Sequence, residues 1–238
     1  MQQTVNNPYI QDALQYAEQR SIAWDRARLG LFTGSGIADL MVQPKTIKDR
    51  EAGNLSATAE KYVITKVMEM VTGVSQNNAY GQAIEWGIEQ EENALIALMH
   101  AMECDPSRCN LKPRFKLFNH YSGASPDGIY FWPSMNMEVG IEVKCPWNSY
   151  NHYQHSRVSC GEDLKRISPD YYWQVQMNML TWGLPVWIFG SYDPRQPEHR
   201  VLHWTPIHAN TEDMQLMCEA MEKAQKIKED LYHQWINK

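Results

Sequence analysis

The run "SPDGIYFWPSMNMEVGIEVKCPW", Ser125 to Trp147, narrows the folds open to this chain more than any other stretch. Its two halves are short apolar and β-branched segments punctuated by Gly, Pro and Asn, the texture of a β-hairpin. Side chains alternate along a strand, so Ile141, Val143 and Cys145 point to one face while Glu142 and Lys144 point to the other. One face can therefore close a core while the other gathers charge. If Asp127 ends or bends the partner strand, its carboxylate comes near Glu142.

The segments on either side are mostly helical by periodicity. "PYIQDALQYAEQRSIAWDRARLG" carries Ile10, Leu14, Ala17 and Ile22 at helical spacing and ends at Gly30, predicting one helix or a pair. "FTGSGIADLMV" predicts a short helix after Ser35, followed by a polar loop, "QPKTIKDREAGN". Ser56 is placed to cap a helix whose Tyr62, Val63, Val67 and Met70 share a face and which Gly73 closes. A long helix from about Asn78 has Ile84, Ile88, Leu95 and Met99 as its apolar stripe, with Glu91 beside it. After the hairpin, a loop through Gly161 leads to a helix over "PDYYWQVQMNMLTW" ended by Gly183. Two strands, "PVWIFGSYDP" and "RVLHWTPIH", and an amphipathic helix from about Thr211 complete the order. Helices, hairpin, helix, two strands and helix predict an α/β or α+β fold, a mixed central sheet flanked by helices. The 238 residues suit a single domain over 1–238.

Composition excludes several classes. With 43% hydrophobic and 21% charged residues the chain has a globular balance, and no apolar run approaches the roughly 20 residues of a membrane span. The N-terminus lacks the basic-then-apolar order of a secretory signal, so a soluble intracellular protein is expected, with no membrane partner. Five cysteines, Cys104, Cys109, Cys145, Cys160 and Cys218, predict reduced thiols rather than a disulfide framework. "CDPSRC" has the two thiols of half a metal site but no matching pair. A net charge of −6 argues against a protein that coats nucleic acid, and leaves room for an enzyme with a local basic groove.

Two carboxylates about 4 Å apart repel by roughly 4 kcal/mol at an effective dielectric near 20. Such a pair needs a cation or a raised pKa, and Lys144 supplies only one charge. On spacing alone Glu142 and Lys144 are equally a solvated ion pair, and Pro-Asp-Gly equally turn chemistry. The combination of P-D, hairpin, E-x-K and a following helix with Gln174 and Gln176 favours a site. Carboxylates of this kind suit phosphate ester hydrolysis, whose slowest cases need accelerations of about 10²¹, whereas a positioned acid or base gives about 10²- to 10⁴-fold. Divalent cations held by Asp127 and Glu142 could supply the remainder, with Lys144 orienting or helping to deprotonate a water and neutralising developing charge.

These residues, in this order, resemble the PD-(D/E)xK nuclease core, and more closely the phage lambda exonuclease family of YqaJ-like viral recombinase exonucleases. The matching stretches are "RLGLFTGS", "WGIEQEENA", "SPDG", "IEVKCP", "YYWQVQ" and "YDPR", in the family order and running through most of the chain. The resemblance implies a restriction-endonuclease-like core and a Mg²⁺-dependent exonuclease, with Mn²⁺ as a substitute and two ions expected. It assigns metal to Glu91, Asp127, Glu142 and the Val143 carbonyl, with Glu92 as the alternative to Glu91. Lys144 matches the catalytic lysine, and Gln174 the glutamine that positions it. Arg28 and Ser35 match a pocket for the 5′-phosphate, where an Arg fork suits a terminal phosphate. Ala83 and Ile84 fall where the family has a strand wedge, although ordinary helix core explains them equally.

The resemblance further implies digestion of one strand of linear double-stranded DNA from 5′ to 3′, leaving a 3′ overhang for a single-strand-annealing partner. It implies a homotrimeric ring around DNA and a phage or prophage origin, with action in the bacterial host cytoplasm. Two readings compete: a structure- or sequence-specific endonuclease on the same core, and a noncatalytic nucleic-acid-binding protein that has kept the fold. The length of "IYFWPSMNMEVG" between the motif strands and the richness in tryptophan (Trp132, Trp147, Trp182, Trp187) fall outside the resemblance.

Overall fold

The computed structural model describes residues 21–76 and 81–237. The expected helix around Ile10–Ala17 and the expected helix start at Asn78 lie outside those residues. Ser21 Oγ accepts from Trp24 N to cap α1 (Ile22–Ala27), and Gly30, at φ +73°, turns the chain into β1 (Phe32–Thr33). After a 3₁₀ turn over Gly34–Gly36 comes α2 (Ile37–Met41). The segment expected as a polar loop contains α3 (Ile47–Glu51), capped by Thr46 and burying no side chain, so apolar periodicity had nothing to report there. In α4 (Ala57–Thr72) the Ser56 cap and the left-handed Gly73 stand as expected. Its buried face is Tyr62, Val63 and Val67 with Lys66 and Glu69, whereas Met70 is exposed, because the helix pairs one ammonium with one carboxylate inside the fold.

The long helix, α5 (Gln82–Ala101), buries Ala94, Leu95, Leu98 and Met99, but Ile84 and Ile88 are 40% and 47% exposed. The stripe is interrupted at Glu91 and Glu92 and loses its partner surface in the first half of the helix. Strands β2 (Cys109–Asn110), β3 (Lys116–Asn119), β4 (Ser122–Ala124), β5 (Gly128–Trp132) and β6 (Met137–Lys144) follow. Strands β5 and β6 pair antiparallel from Gly128↔Ile141 to Trp132↔Met137, joined by Pro133–Met135 and Asn136. The segment that looked long for a hairpin is thus long in its strands rather than its turn.

The expected loop after the hairpin instead holds α6 (Ser149–His155) and α7 (Gly161–Ile167). Then α8 (Pro169–Trp182) ends at left-handed Gly183 and leads through β7 (Val186–Tyr192) and β8 (Leu202–His208) to α9 (Thr211–Ile236). The main sheet has the order β2-β5-β6-β7-β8, with β6 and β7 parallel and the other pairs antiparallel. A smaller sheet, β1-β4-β3, joins the N-terminal helices.

The fold is α+β with a mixed sheet covered on both faces. On one face Ile141 and Val143 of β6 pack with Tyr130, Ile188 and the Leu95–Leu98–Met99 side of α5. On the other, Trp187, Phe189 and Ile207 pack with Tyr172, Val175 and Met179 of α8. A Cβ on Gly140 would meet the Trp187 ring at 2.1 Å, so the missing side chain makes room for that indole. A third cluster joins Phe32, Ile37, Val63, Met177, Met217 and Met221 across α2, α4, α8 and α9. Among the described residues no helix is long and apolar enough to cross a membrane. All five cysteines are free thiols.

Candidate active site

Strand β6 carries Glu142 and Lys144 toward α8, opposite the Ile141–Val143 row, as its alternation requires. Asp127 N donates to Ile141 O at 3.1 Å, extending the hairpin one residue past Gly128 and holding the aspartate beside the charged end of β6. Val143 N donates to Asp127 Oδ2 at 2.8 Å. Lys144 Nζ donates to Glu142 Oε1 and, at 3.3 Å, to Gln174 Oε1. Asn178 Nδ2 donates to Glu142 Oε2 at 3.0 Å. The Tyr171 ring centroid lies 4.5 Å from the lysine nitrogen. Gln174 and Asn178 are four residues apart on α8, so one helix face fixes both the lysine and the glutamate.

Glu142 is 1% exposed, and its environment is expensive for charge. Burial raises its pKa, while Lys144 opposes the shift and Glu91 adds to it. Asp127 is pushed well above the usual carboxylate range by burial and then by Glu142, with Lys144 opposing. Burial lowers the Lys144 pKa, but Glu142 and Asp127 outweigh it and hold the ammonium above the ordinary lysine value. In this arrangement Lys144 is a fixed cation rather than a proton acceptor.

These groups open into a cleft of about 430 Å³ whose lining includes Glu91, Asp127, Val143, Lys144 and Trp147. Ala83, Ile84 and Ile88 of α5 line it as well, so Ile84 belongs to the cleft wall and not to helix core. Glu91 is part-buried on the same wall, whereas Glu92 is exposed and does not line the cleft. Among the described residues no three His, Cys, Asp or Glu side chains stand close enough together to hold a metal ion. Both Glu142 oxygens accept, one from Lys144 and one from Asn178. The donor chemistry still suits a hard cation, since Asp127 and Glu142 are oxygen donors, Glu142 and Glu91 raise the cost of ionising Asp127, Glu91 raises that of Glu142, and one ammonium offsets only part of it.

Arg28 and Ser35 do share a second cavity, of about 830 Å³, together with Thr33, Tyr62, Lys66 and Glu69. The Arg28 guanidinium lies 3.7 Å from the Trp24 ring centroid, and its buried Nε has no hydrogen-bond partner among the described residues. Burial lowers its pKa to about 10 against the pull of Tyr62, Asp25 and Glu69. A desolvated Arg that lines a cavity, with its Nε unpaired among the described residues, is suited to an anion. Ser35 is exposed at the rim, with its Oγ 3.4 Å from Thr33 Oγ1. Behind Ser35, a Cβ on Gly34 would lie 2.9 Å from Asn178 Oδ1, the amide whose nitrogen holds Glu142.

Gln176, paired with Gln174 in the sequence argument, does not reach the site. Its Nε2 donates to His208 O and its Oε1 accepts from Asn210 N, tying α8 to the start of α9. The residues that sequence reasoning missed are Asn178 and Tyr171; their signal was the spacing of 171, 174 and 178 on one helix face, toward the E-x-K strand.

The family described as the YqaJ-like viral recombinase domain matches residues 23–184. Among solved structures, an alkaline exonuclease, LHK-Exo, from Laribacter hongkongensis is 22% identical with a TM-score of 0.72, covering 91% of this chain and 97% of that one. The same enzyme in complex with dAMP gives 22% and 0.72 over 90% and 96%. A phage-related exonuclease from Haemophilus somnus 129PT is 19% identical with a TM-score of 0.68, covering 86% and 96%. No curated protein matches.

Proposed function

The chain belongs to the YqaJ-like viral recombinase family, and we propose that it is a divalent-metal-dependent exonuclease that digests one strand of linear duplex DNA from 5′ to 3′. The observation that carries this reading is the Asp127–Glu142–Lys144 constellation at the foot of the cleft, with Gln174 and Asn178 holding two of its three members. Asp127, Glu142, Glu91 and the Val143 carbonyl would hold Mg²⁺, with Mn²⁺ as a substitute and two ions expected. The bound metal would lower the pKa of a water and stabilise charge on the phosphate.

The protein's own contribution is positional and electrostatic. Gln174 and the Tyr171 face hold the Lys144 ammonium where it can orient a water and neutralise charge on a phosphate oxygen. Asn178 fixes the Glu142 carboxylate, and the Val143 amide fixes Asp127. Arg28, whose Nε has no partner among the described residues, would take the terminal 5′-phosphate beside Ser35, and Ala83 with Ile84 would part the end base pair at the cleft wall. The same reading includes a homotrimeric ring, a 3′ overhang passed to a single-strand-annealing protein, and action of a phage or prophage product in the host cytoplasm.

The test is a Mg²⁺ time course on linear duplexes with 5′-phosphate or 5′-hydroxyl ends beside covalently closed circles. Mononucleotide release from the linear substrates alone, faster with 5′-phosphate, is expected. Nicking of the circles would establish the endonuclease instead, and no hydrolysis with any divalent cation would leave a noncatalytic protein.

A further inference from the structure

Four tryptophans stood outside the functional reading, and the structure separates them. Trp187 is wholly buried, Trp132 packs on the α5-side core edge-on to Trp204, and Trp182 packs on the α8-side core. Trp147 differs: it is 46% exposed and forms part of the cleft wall, three residues beyond Lys144. We propose that Trp147 is a stacking surface for the nucleobase of a nucleotide flanking the scissile phosphate; the inference rests on the nuclease reading of that cleft.

The indole is half exposed and yet firmly held. It lies edge-on to Trp86 at 5.5 Å, and the Trp147 backbone carbonyl accepts from Arg195 Nη2 at 2.9 Å. Arg195 also donates to Pro146 O at 3.2 Å, and its guanidinium lies 4.6 Å from the Trp86 ring centroid and 5.6 Å from that of Trp147. Asp193, fully buried, fixes Arg195 through Nε at 2.7 Å and Nη2 at 3.1 Å. The "YDPR" stretch is thus a clamp that ties the Lys144 strand end to the Trp86 turn of α5. A side chain whose only work was to fill space would not need its ring anchored and left open to the cleft.

Ile84 and Ile88 also line this cleft and are exposed, so the cleft offers apolar surface beside the Asp127–Lys144 charges. An apolar wall beside a phosphate site matches the two halves of a nucleotide. Stacking on an aromatic face is tolerant of base identity, which an enzyme that digests any sequence requires. Trp147 would touch the base, whereas Arg195 and Asp193 are positioning residues that act through it.

The experiment compares the full-length wild type with Trp147→Ala and Trp147→Phe on 5′-phosphorylated linear duplexes. The substrates carry normal nucleotides or an abasic analogue at the first or the second 5′ position. Wild type should lose on the order of tenfold in kcat/KM with one of the abasic substrates. Trp147→Ala should show that loss already on the normal duplex and no further loss on the abasic one, with Trp147→Phe between them. An equal abasic penalty in wild type and Trp147→Ala overturns the inference and leaves the nuclease reading standing. So does a changed sedimentation coefficient with unchanged base dependence, which would make the ring a contact between copies. If wild type hydrolyses no duplex, the nuclease reading falls and takes the inference with it.

Discussion

Replacing Lys228 with methionine should stabilise the protein at pH 6 and lose most of that advantage by pH 9. Lys228 is 3% exposed on α9; its Nζ donates to Gly30 O at 2.6 Å and lies 4.5 Å from the Phe32 ring centroid. Lys66 and Glu69 of α4 and Glu229 of α9 are the charged groups acting on it, and burial, reinforced by Lys66, lowers its pKa to about 7. An unfolded lysine titrates near 10.4, so below pH 7 both states are charged and the full cost of burying the ammonium is present, on the order of 5 kcal/mol. Between pH 7 and 10.4 the folded lysine is neutral and the unfolded one charged, so wild-type stability rises with pH. At pH 9 the remaining cost is on the order of 2 kcal/mol. The variant also leaves the Gly30 carbonyl without this donor, a penalty of about 1–3 kcal/mol that is the same at both pH values. It cancels in the comparison. The advantage of Lys228→Met should therefore shrink by about 3 kcal/mol from pH 6 to pH 9, or roughly 6 to 12 °C in Tm at about 2–4 °C per kcal/mol. Paired thermal melts followed by circular dichroism at constant ionic strength measure it. An advantage that holds steady or grows with pH would refute the reasoning.

Three other perturbations address the site and the sheet. Asp127→Ala should abolish digestion of linear duplex while leaving DNA binding within about twofold, as read by nuclease assay and filter binding. Full activity in that variant would remove Asp127 from the chemistry. Arg28→Ala should erase the preference for 5′-phosphorylated over 5′-hydroxyl ends, and Arg28→Lys should restore it only in part because an ammonium lacks the guanidinium fork. Gly140→Ala should destabilise by about 1–3 kcal/mol or more, since its methyl would meet the buried Trp187 ring. A melt within 1 °C of wild type would show that the indole has room to move.

The strand that set the argument was legible because period two is a hard constraint: once Ile141 and Val143 close the core, Glu142 and Lys144 have one direction left. The caps Ser56, Gly73 and Gly183 were legible because each satisfies a helix end locally. Helix α5 shows the limit. Its apolar residues Ile84, Ile88, Leu95 and Met99 fall on one side, but periodicity records which side of a helix is apolar and not where the facing surface stops. Helices α6 and α7 were read as loop since they lack an apolar stripe. What α6 buries is His152 and His155, with His152 held by Ser191 Oγ and Arg200 O at 2.9 Å each. Asn178 was invisible for a related reason: its role depends on a glutamate 36 positions away.

A formal charge of −6 sets the surface as a whole against a polyanion, and the placement of individual cations resolves the conflict. Exposed charges are screened beyond about 8–10 Å at physiological salt, so distant acidic residues weigh little on a phosphate held inside a cavity. Within that radius the structure supplies Arg28, desolvated and with its Nε unpaired among the described residues, in one cavity and Lys144, whose ammonium form the neighbouring carboxylates favour, in the other. Helix α8 carries Gln174, which fixes Lys144, and Asn178, which holds Glu142 and faces Gly34, next to Ser35. Exposed cations favour any stretch of duplex equally, whereas a cation inside a cavity favours a strand end, where a terminal phosphate can enter. Under the exonuclease reading, this placement would let an acidic chain select ends: the surface would discourage binding along the duplex, and the cavities would reward a terminus.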